Sequence, residues 1–133
     1  MTIHKTALVE DGAIIHEAAE IGPYAVIGPN VTVGEGTKIG AHVVLDGHTI
    51  VGSNCRIYAG AAVGLEPQDL KYKNEPTGVI IGDNVTIREY VTVHRGTGER
   101  STLIGAESFL MNYVHVAHDC KIGKGVILTN NTC

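Results

Sequence analysis

The segment His115-Val-Ala-His118-Asp119 places a carboxylate beside a histidine. A histidine oriented by a carboxylate is a general base near neutral pH, because the partner fixes the ring while its far nitrogen takes a proton. Upstream, Lys71 and Lys73 are cationic donors of the kind that hold phosphate, and Asp69 can accept from a sugar hydroxyl. Arg88 and Arg95 either add to this positive charge or pair with Glu89 and Glu99. Other chemistries lack their signatures: there is no P-loop, no G-x-S-x-G and no C-x-x-C pair. The many glycines lack the strand-to-helix context of a dinucleotide fold.

These residues act together only if the chain carries them to one place, and a repeat says how it does so. Starting at Ile3, an aliphatic residue recurs every six positions: Val9, Ile15, Ile21, Ile27, Val33, Ile39, Leu45, Val51, Ile57 and Val63. Such a run has a chance of roughly 10⁻⁶ to 10⁻⁵ by simple counting. The register resumes at Ile81, Ile87 and Val93, then shifts to Ile104, Leu110, Val116, Ile122 and Leu128. Glycine often follows the aliphatic residue, as at Gly22, Gly34, Gly52, Gly82 and Gly105. Four positions after it stands a small or β-branched side chain, as at Ala25, Val43, Cys55 and Ala61. Period six fits no helix. It fits a short strand and a tight turn, with glycine supplying the unusual backbone angles. Three such segments close a triangular coil, and coils stack as parallel strands into an all-β parallel β-helix. Aliphatic and small slots point inward; the others face out or form corners.

Composition agrees. At 133 residues with 44% hydrophobic and 5% aromatic side chains, this is one domain whose core is Ile, Val, Leu and Ala. A net charge of −4 argues against general nucleic-acid binding. No apolar run is long enough for a transmembrane segment and no signal peptide opens the chain, so a soluble, cytoplasmic protein is expected. Cys55, Cys120 and Cys133 lack zinc spacing and suit a reducing compartment, and the first two occupy inward structural slots.

The interruptions locate the chemistry. Residues 69–80 put Asp69 and Glu75 where aliphatics belong, which predicts a loop extruded from the coil; residues 99–103 are a second, short insertion. Counting hexads from Ile3 without the inserts, those of Val63, Val93 and Val116 are the eleventh, fourteenth and seventeenth. They therefore stack on one face, and both inserts leave from one corner. All seven histidines fall in outward slots, so none is expected to be buried: His4, His16, His42, His48, His94, His115 and His118. The first four read as surface residues. His94 and His118 lie one coil apart, at a spacing of roughly 4.8 Å, and His115 closes the hexad before. The expectation is one edge shared by His94, His115, His118 and the loop 69–80.

Six segments resemble one family: Gln68-Asp-Leu-Lys-Tyr72, Glu75-Pro-Thr77, Ile81-Gly-Asp83, Ile87-Arg-Glu89, Val91-Thr-Val-His-Arg-Gly-Thr97 and His115-Val-Ala-His-Asp-Cys120. They are similar to those of the UDP-N-acetylglucosamine acyltransferases, hexapeptide-repeat enzymes that open lipid A biosynthesis, and the resemblance covers residues 63–133. It implies left-handed winding, which the period does not decide, since crossovers between parallel strands are right-handed in about 98% of cases. It also implies transfer of an (R)-3-hydroxyacyl group from acyl carrier protein to the glucosamine 3-hydroxyl of UDP-N-acetylglucosamine. No cofactor or metal is implied beyond the carrier's thioester. His118 matches the general base and Asp119 its orienting partner. Gln68, Asp69 and Lys71 match the loop that binds the sugar nucleotide, and His94 and His115 match residues lining the same site. The implied assembly is a homotrimer with sites in clefts between neighbouring prisms.

Enzymes of that family continue with more coils and a helical C-terminal domain. This chain stops at Cys133, in the last slot of a hexad, without the cap that a repeat array needs. It reads as about six coils of a longer protein. Three other readings fit the same coil: a zinc-dependent, carbonic anhydrase-like enzyme using the outward histidines, a coenzyme A-dependent acetyltransferase, and a non-catalytic scaffold. Zinc would leave Asp119 and the Gln68-to-Lys71 segment without a role.

Overall fold

The computed structural model describes residues 2–66, 76–98 and 101–130 of the chain. Among them are nineteen strands of two to four residues, from β1 (Thr2–Ile3) to β19 (Ile127–Leu128), and no helix. Strands this short are not stable alone; each is held by the coils stacked against it, one at the ends of a sheet and two elsewhere. The register shows it: Ile3 pairs with Ile21, and Ile21 with Ile39, every pairing being parallel.

Three sheets result, one of seven strands and two of six, which form the faces of a prism. The first face turns Ile21, Ile39, Ile57, Ile87 and Leu110 inward. The second contributes Ile27, Leu45, Val63, Val93 and Val116. The third contributes Val33, Val51, Ile81 and Ile104. Ala25, Val43, Cys55, Ala61, Val85, Val91 and Val114 fill the corners, with Thr37, Thr49 and Ser108 in the same slot donating their hydroxyls to backbone carbonyls, so the core is otherwise aliphatic. Among the described residues no helix is long and apolar enough to cross a membrane.

The repeat glycines serve a different purpose from the one expected. The left-handed angles fall two residues later, and often on other residue types: Tyr24, His42, Asn54, Asn84, Tyr90, Glu107, Tyr113 and Asp119 have φ between 55° and 64°. The glycine slot is instead where stacked backbones touch. A β-carbon on Gly34 would lie 2.6 Å from the Gly52 carbonyl oxygen. Space, not backbone angle, selects glycine there.

The inserts follow second-face strands β11 (Ala62–Leu65) and β14 (Thr92–His94), and precede third-face strands β12 (Val79–Ile81) and β15 (Thr102–Ile104). They share one corner, as expected, but both are shorter than expected at their C-terminal ends. Val79 and Ile80 belong to β12, and Thr102 and Leu103 to β15, because these strands pair with each other over three residues. Of the predicted loop, residues 69–75 lie outside the described residues, and Pro76, Thr77 and Gly78 lead into β12.

Between Val63 and Leu65 the register slips, so that Leu65 stands opposite His94 and Gly64 bulges out at φ 84°. A methyl group on Gly64 would overlap the Asp46 carbonyl oxygen and the Thr49 hydroxyl. Gly98 also has positive φ, 63°, but open space around it. Gly64→Ala is therefore expected to cost roughly 2–4 kcal/mol, and Gly98→Ala about 1 kcal/mol. Chemical denaturation of the two variants reads the difference, and equal costs would show that the bulge is not crowded.

Candidate active site

The edge between the second and third faces carries the predicted chemistry. Strand β17 (His115–Val116) lies on β14, with His115 beside Thr92 and Val116 beside Val93. The Thr92 hydroxyl is 2.7 Å from His115 Nδ1. The His115 ring meets that of His94 edge-on, with centroids 4.8 Å apart.

His94 departs from expectation. Its slot points outward, yet only 9% of the residue is exposed. An outward slot on a plain prism would be wet, but here the slipped register sets Leu65 opposite and the His115 ring leans in from the next coil. Burial lowers the His94 pKa below the ordinary imidazole value, and the charges that His115 and His118 can carry push it the same way. A neutral ring is the stable form there.

His118 Nδ1 lies 2.9 Å from Asp119 Oδ2. A carboxylate only accepts, so Nδ1 carries the hydrogen and the lone pair of the neutral ring sits on Nε2, the nitrogen suited to take a proton. Asp119 is itself restrained. Its Oδ1 accepts from the Thr97 amide at 3.0 Å, and its Oδ2 accepts from the Thr97 hydroxyl at 2.6 Å. Burial acts to raise the Asp119 pKa, but the bonds from His118 and Thr97 outweigh it and hold the carboxyl below its usual range. The pair is thus an ionised carboxylate facing an imidazole.

Other expected residues divide. Arg95 donates to the Gly64 carbonyl at 2.7 Å and pairs with Asp46 at 3.3 Å, fastening one coil to another. Arg88 pairs with Glu89 at 2.8 Å and covers the Tyr58 ring at the opposite corner, so it takes no part. His42 stacks on Tyr24 at that corner as well. Cys55 is buried, and burial pushes its thiol pKa up, as suits a structural side chain. Among the described residues no three His, Cys, Asp or Glu side chains converge to hold a metal ion. Gln68, Asp69 and Lys71, with Lys73 and Glu99, lie outside the described residues. Thr92 and Thr97 were assigned no role from sequence; the His115 register could have flagged Thr92, whereas nothing in the hexad pattern marks Thr97.

A family model described as bacterial transferase hexapeptide (six repeats) matches residues 1–35, 12–47, 30–64 and 101–133. The chain belongs to this hexapeptide family. Two curated relatives of this chain are named acyl-[acyl-carrier-protein]–UDP-N-acetylglucosamine O-acyltransferase. The one from Burkholderia vietnamiensis is 58% identical over 131 residues, covering 97% of this chain and 50% of that protein. The one from Campylobacter concisus is 48% identical over 132 residues, with the same coverage. The crystal structure of UDP-N-acetylglucosamine O-acyltransferase from Moraxella catarrhalis superposes with a TM-score of 0.89 at 45% identity, over 92% of this chain and 49% of that one. The chain therefore spans about half the length of the curated relatives it matches. The hexapeptide coil is a left-handed parallel β-helix, as the resemblance implied.

The depressed His94 pKa has a consequence for stability. The unfolded chain binds a proton at this histidine near pH 6.5, whereas the folded chain binds it only at lower pH. Stability is then complete above pH 6.5 and is lost as pH falls from there toward the folded value. NMR titration is expected to place His94 below 6.5, and His94→Gln to flatten this acid-side loss. A His94 that titrates at or above 6.5 would contradict its burial.

Proposed function

We propose that this chain forms the catalytic edge of an acyltransferase. The donor is an (R)-3-hydroxyacyl thioester of acyl carrier protein, and the acceptor is the glucosamine 3-hydroxyl of UDP-N-acetylglucosamine. The observation that carries this reading is the His118–Asp119 pair, in which the carboxylate fixes the ring and directs its lone pair to Nε2. His118 takes the 3-hydroxyl proton as that oxygen bonds to the thioester carbonyl carbon. The C–S bond then breaks, and the departing carrier thiolate receives the proton back. Asp119 stabilises the imidazolium that forms in between. His94 and His115 line the acceptor side of the edge, with His94 neutral and able to hydrogen-bond without repelling a cation. Gln68, Asp69 and Lys71 hold the sugar nucleotide. The donor brings its own activated bond, so no cofactor is needed, and both substrates place the reaction in the cytoplasm. The names borne by the relatives support the reaction and its substrates.

A homotrimer belongs to the same reading, and the prism faces support it. The outward column of the first face contains Glu20, Lys38 and Arg56, with Lys38 3.8 Å from Glu20. The second face instead turns out Leu8, Val26, Val44 and Ala62. The third turns out Ile14, Thr32, Ile50, Ile80 and Leu103. Leu8, Ile14 and Ile50 are 56%, 65% and 48% exposed, more apolar surface than a free solenoid face would carry. Packing the second face of one copy on the third face of the next closes a ring of three, with the histidine edge at the boundary.

His118→Ala is expected to lower acyl transfer by roughly 10²- to 10⁴-fold. The measurement follows acylated UDP-N-acetylglucosamine by mass spectrometry, in the full polypeptide that carries these residues. Undiminished transfer would remove His118 as the base. For the assembly, Ile14→Lys with Ile50→Lys is expected to convert trimer to monomer in sedimentation. A parent protein that already sediments as a monomer would overturn the trimer.

A further inference from the structure

The second insertion looks at first like a harmless extrusion, but the residues on either side of it converge on one aspartate. Thr97, before it, gives its amide to Asp119 Oδ1 at 3.0 Å and its hydroxyl to Asp119 Oδ2 at 2.6 Å. Thr102, after it, accepts the Asp119 amide at 3.0 Å and donates its own hydroxyl to the His94 carbonyl at 2.8 Å. Asp119 holds φ at 62°, the left-handed corner conformation it shares with Tyr24, His42 and Tyr113. Thr102 secures the backbone in that turn. Thr97 secures the carboxylate plane, whose rotation about its last torsion is otherwise broad.

We propose that Thr97 and Thr102 are positioning residues that act through Asp119 to keep His118 in its Nδ1–H tautomer. This rests on the reading of His118 as the base. With both carboxylate oxygens held by Thr97, Oδ2 stays aimed at His118 Nδ1 and the lone pair stays on Nε2. Without the hydroxyl, only the Thr97 amide still holds the carboxylate, through Oδ1; Oδ2 loses its anchor and the ring samples the tautomer whose lone pair faces the wrong way. A merely structural tie between coils would add stability but would leave the tautomer unchanged. Flanking the insertion with two threonines, one on the Asp119 carboxylate and one on its backbone amide, has a clear use under this proposal.

Thr97→Val removes the hydroxyl at nearly constant shape, and Thr97→Ser keeps it. The ring nitrogens of neutral His118, read by nitrogen-15 NMR, are expected to show Nδ1–H in the parent and in Thr97→Ser. Thr97→Val is expected to show a mixture of tautomers. In the full polypeptide, kcat for acyl transfer is expected to fall about 10- to 100-fold in Thr97→Val, the scale of a hydrogen bond to a charged group. KM should change by less than about twofold, and Thr97→Ser should recover most of kcat. If the valine variant does not fold, Thr97→Ala supplies the same comparison. An unchanged tautomer in a folded variant lacking the hydroxyl overturns the proposal, whatever the activity. A parent that shows the tautomer effect but transfers no acyl group overturns the acyltransferase reading and leaves the positioning relation standing.

Discussion

Everything in this molecule follows from the stacking of one coil on the next. Each strand has two to four residues, and its pairing is supplied wholly by the neighbouring coils. The backbones come so close that a side chain at the repeat slot would collide with the coil above, as at Gly34 against Gly52. A single extra residue inside a coil would turn every following aliphatic side chain outward. Additional residues therefore have only one place to go, a corner, and they must leave there without disturbing the phase. Both inserts depart between the second and third faces, and Ile81 and Ile104 resume the inward column as though nothing had intervened.

That constraint also explains why reactive groups collect at this corner. Corner residues project from a backbone fixed by ladder hydrogen bonds, so side chains on successive coils are held a few ångströms apart at little entropic cost. His94 and His115 meet in this way from adjacent coils, and Thr97 and Asp119 do the same. The slip at Gly64 adds what a plain coil lacks, a place where an outward side chain becomes covered. His94 is consequently disposed to stay neutral, and under the proposed function it does not compete with His118 for the substrate proton.

The fold was legible because its signal is a period, and a period survives any single substitution. Ile3 through Val63 mark the inward columns one by one, and the structure places them there. The reason for the glycines was not legible. Sequence shows that glycine recurs after Ile21 or Val33 but not whether angle or space demands it, and the left-handed angle falls instead on residues such as Tyr24 and His42. The grouping of His94, His115 and His118 could be read from stacking arithmetic, because each lies within a counted hexad. Burial of His94 could not, since it depends on a register slip invisible in the spacing. Thr97 and Thr102 escaped because they border the second insertion, where the count is suspended. The same suspension hid Val79 and Ile80, whose partners on the following coil, Thr102 and Leu103, are themselves residues assigned to an insert.

The face chemistry gives the edge its last property. The second and third faces, which meet at the histidine edge, expose Leu8, Val26, Val44, Ile14, Ile50 and Ile80, whereas the first face carries Glu20, Lys38 and Arg56 in its earlier coils and Phe109 and Ile127 in its last. Under the proposed trimer, copies cover the apolar pair and take the edge out of bulk water without burying a single unpaired charge of the first face. The electrostatic consequences reinforce one another. Lower dielectric strengthens the bonds of Asp119 to His118 and Thr97, while it further disfavours a charge on His94. An assembly that dries this corner would therefore sharpen the division already present in one chain. One histidine is tied to a carboxylate and suited to gain a proton, and its neighbour is held neutral beside it. Under that proposal the apolar faces and the histidine edge are one design, since the surface that would draw copies together would also dry the groups between them.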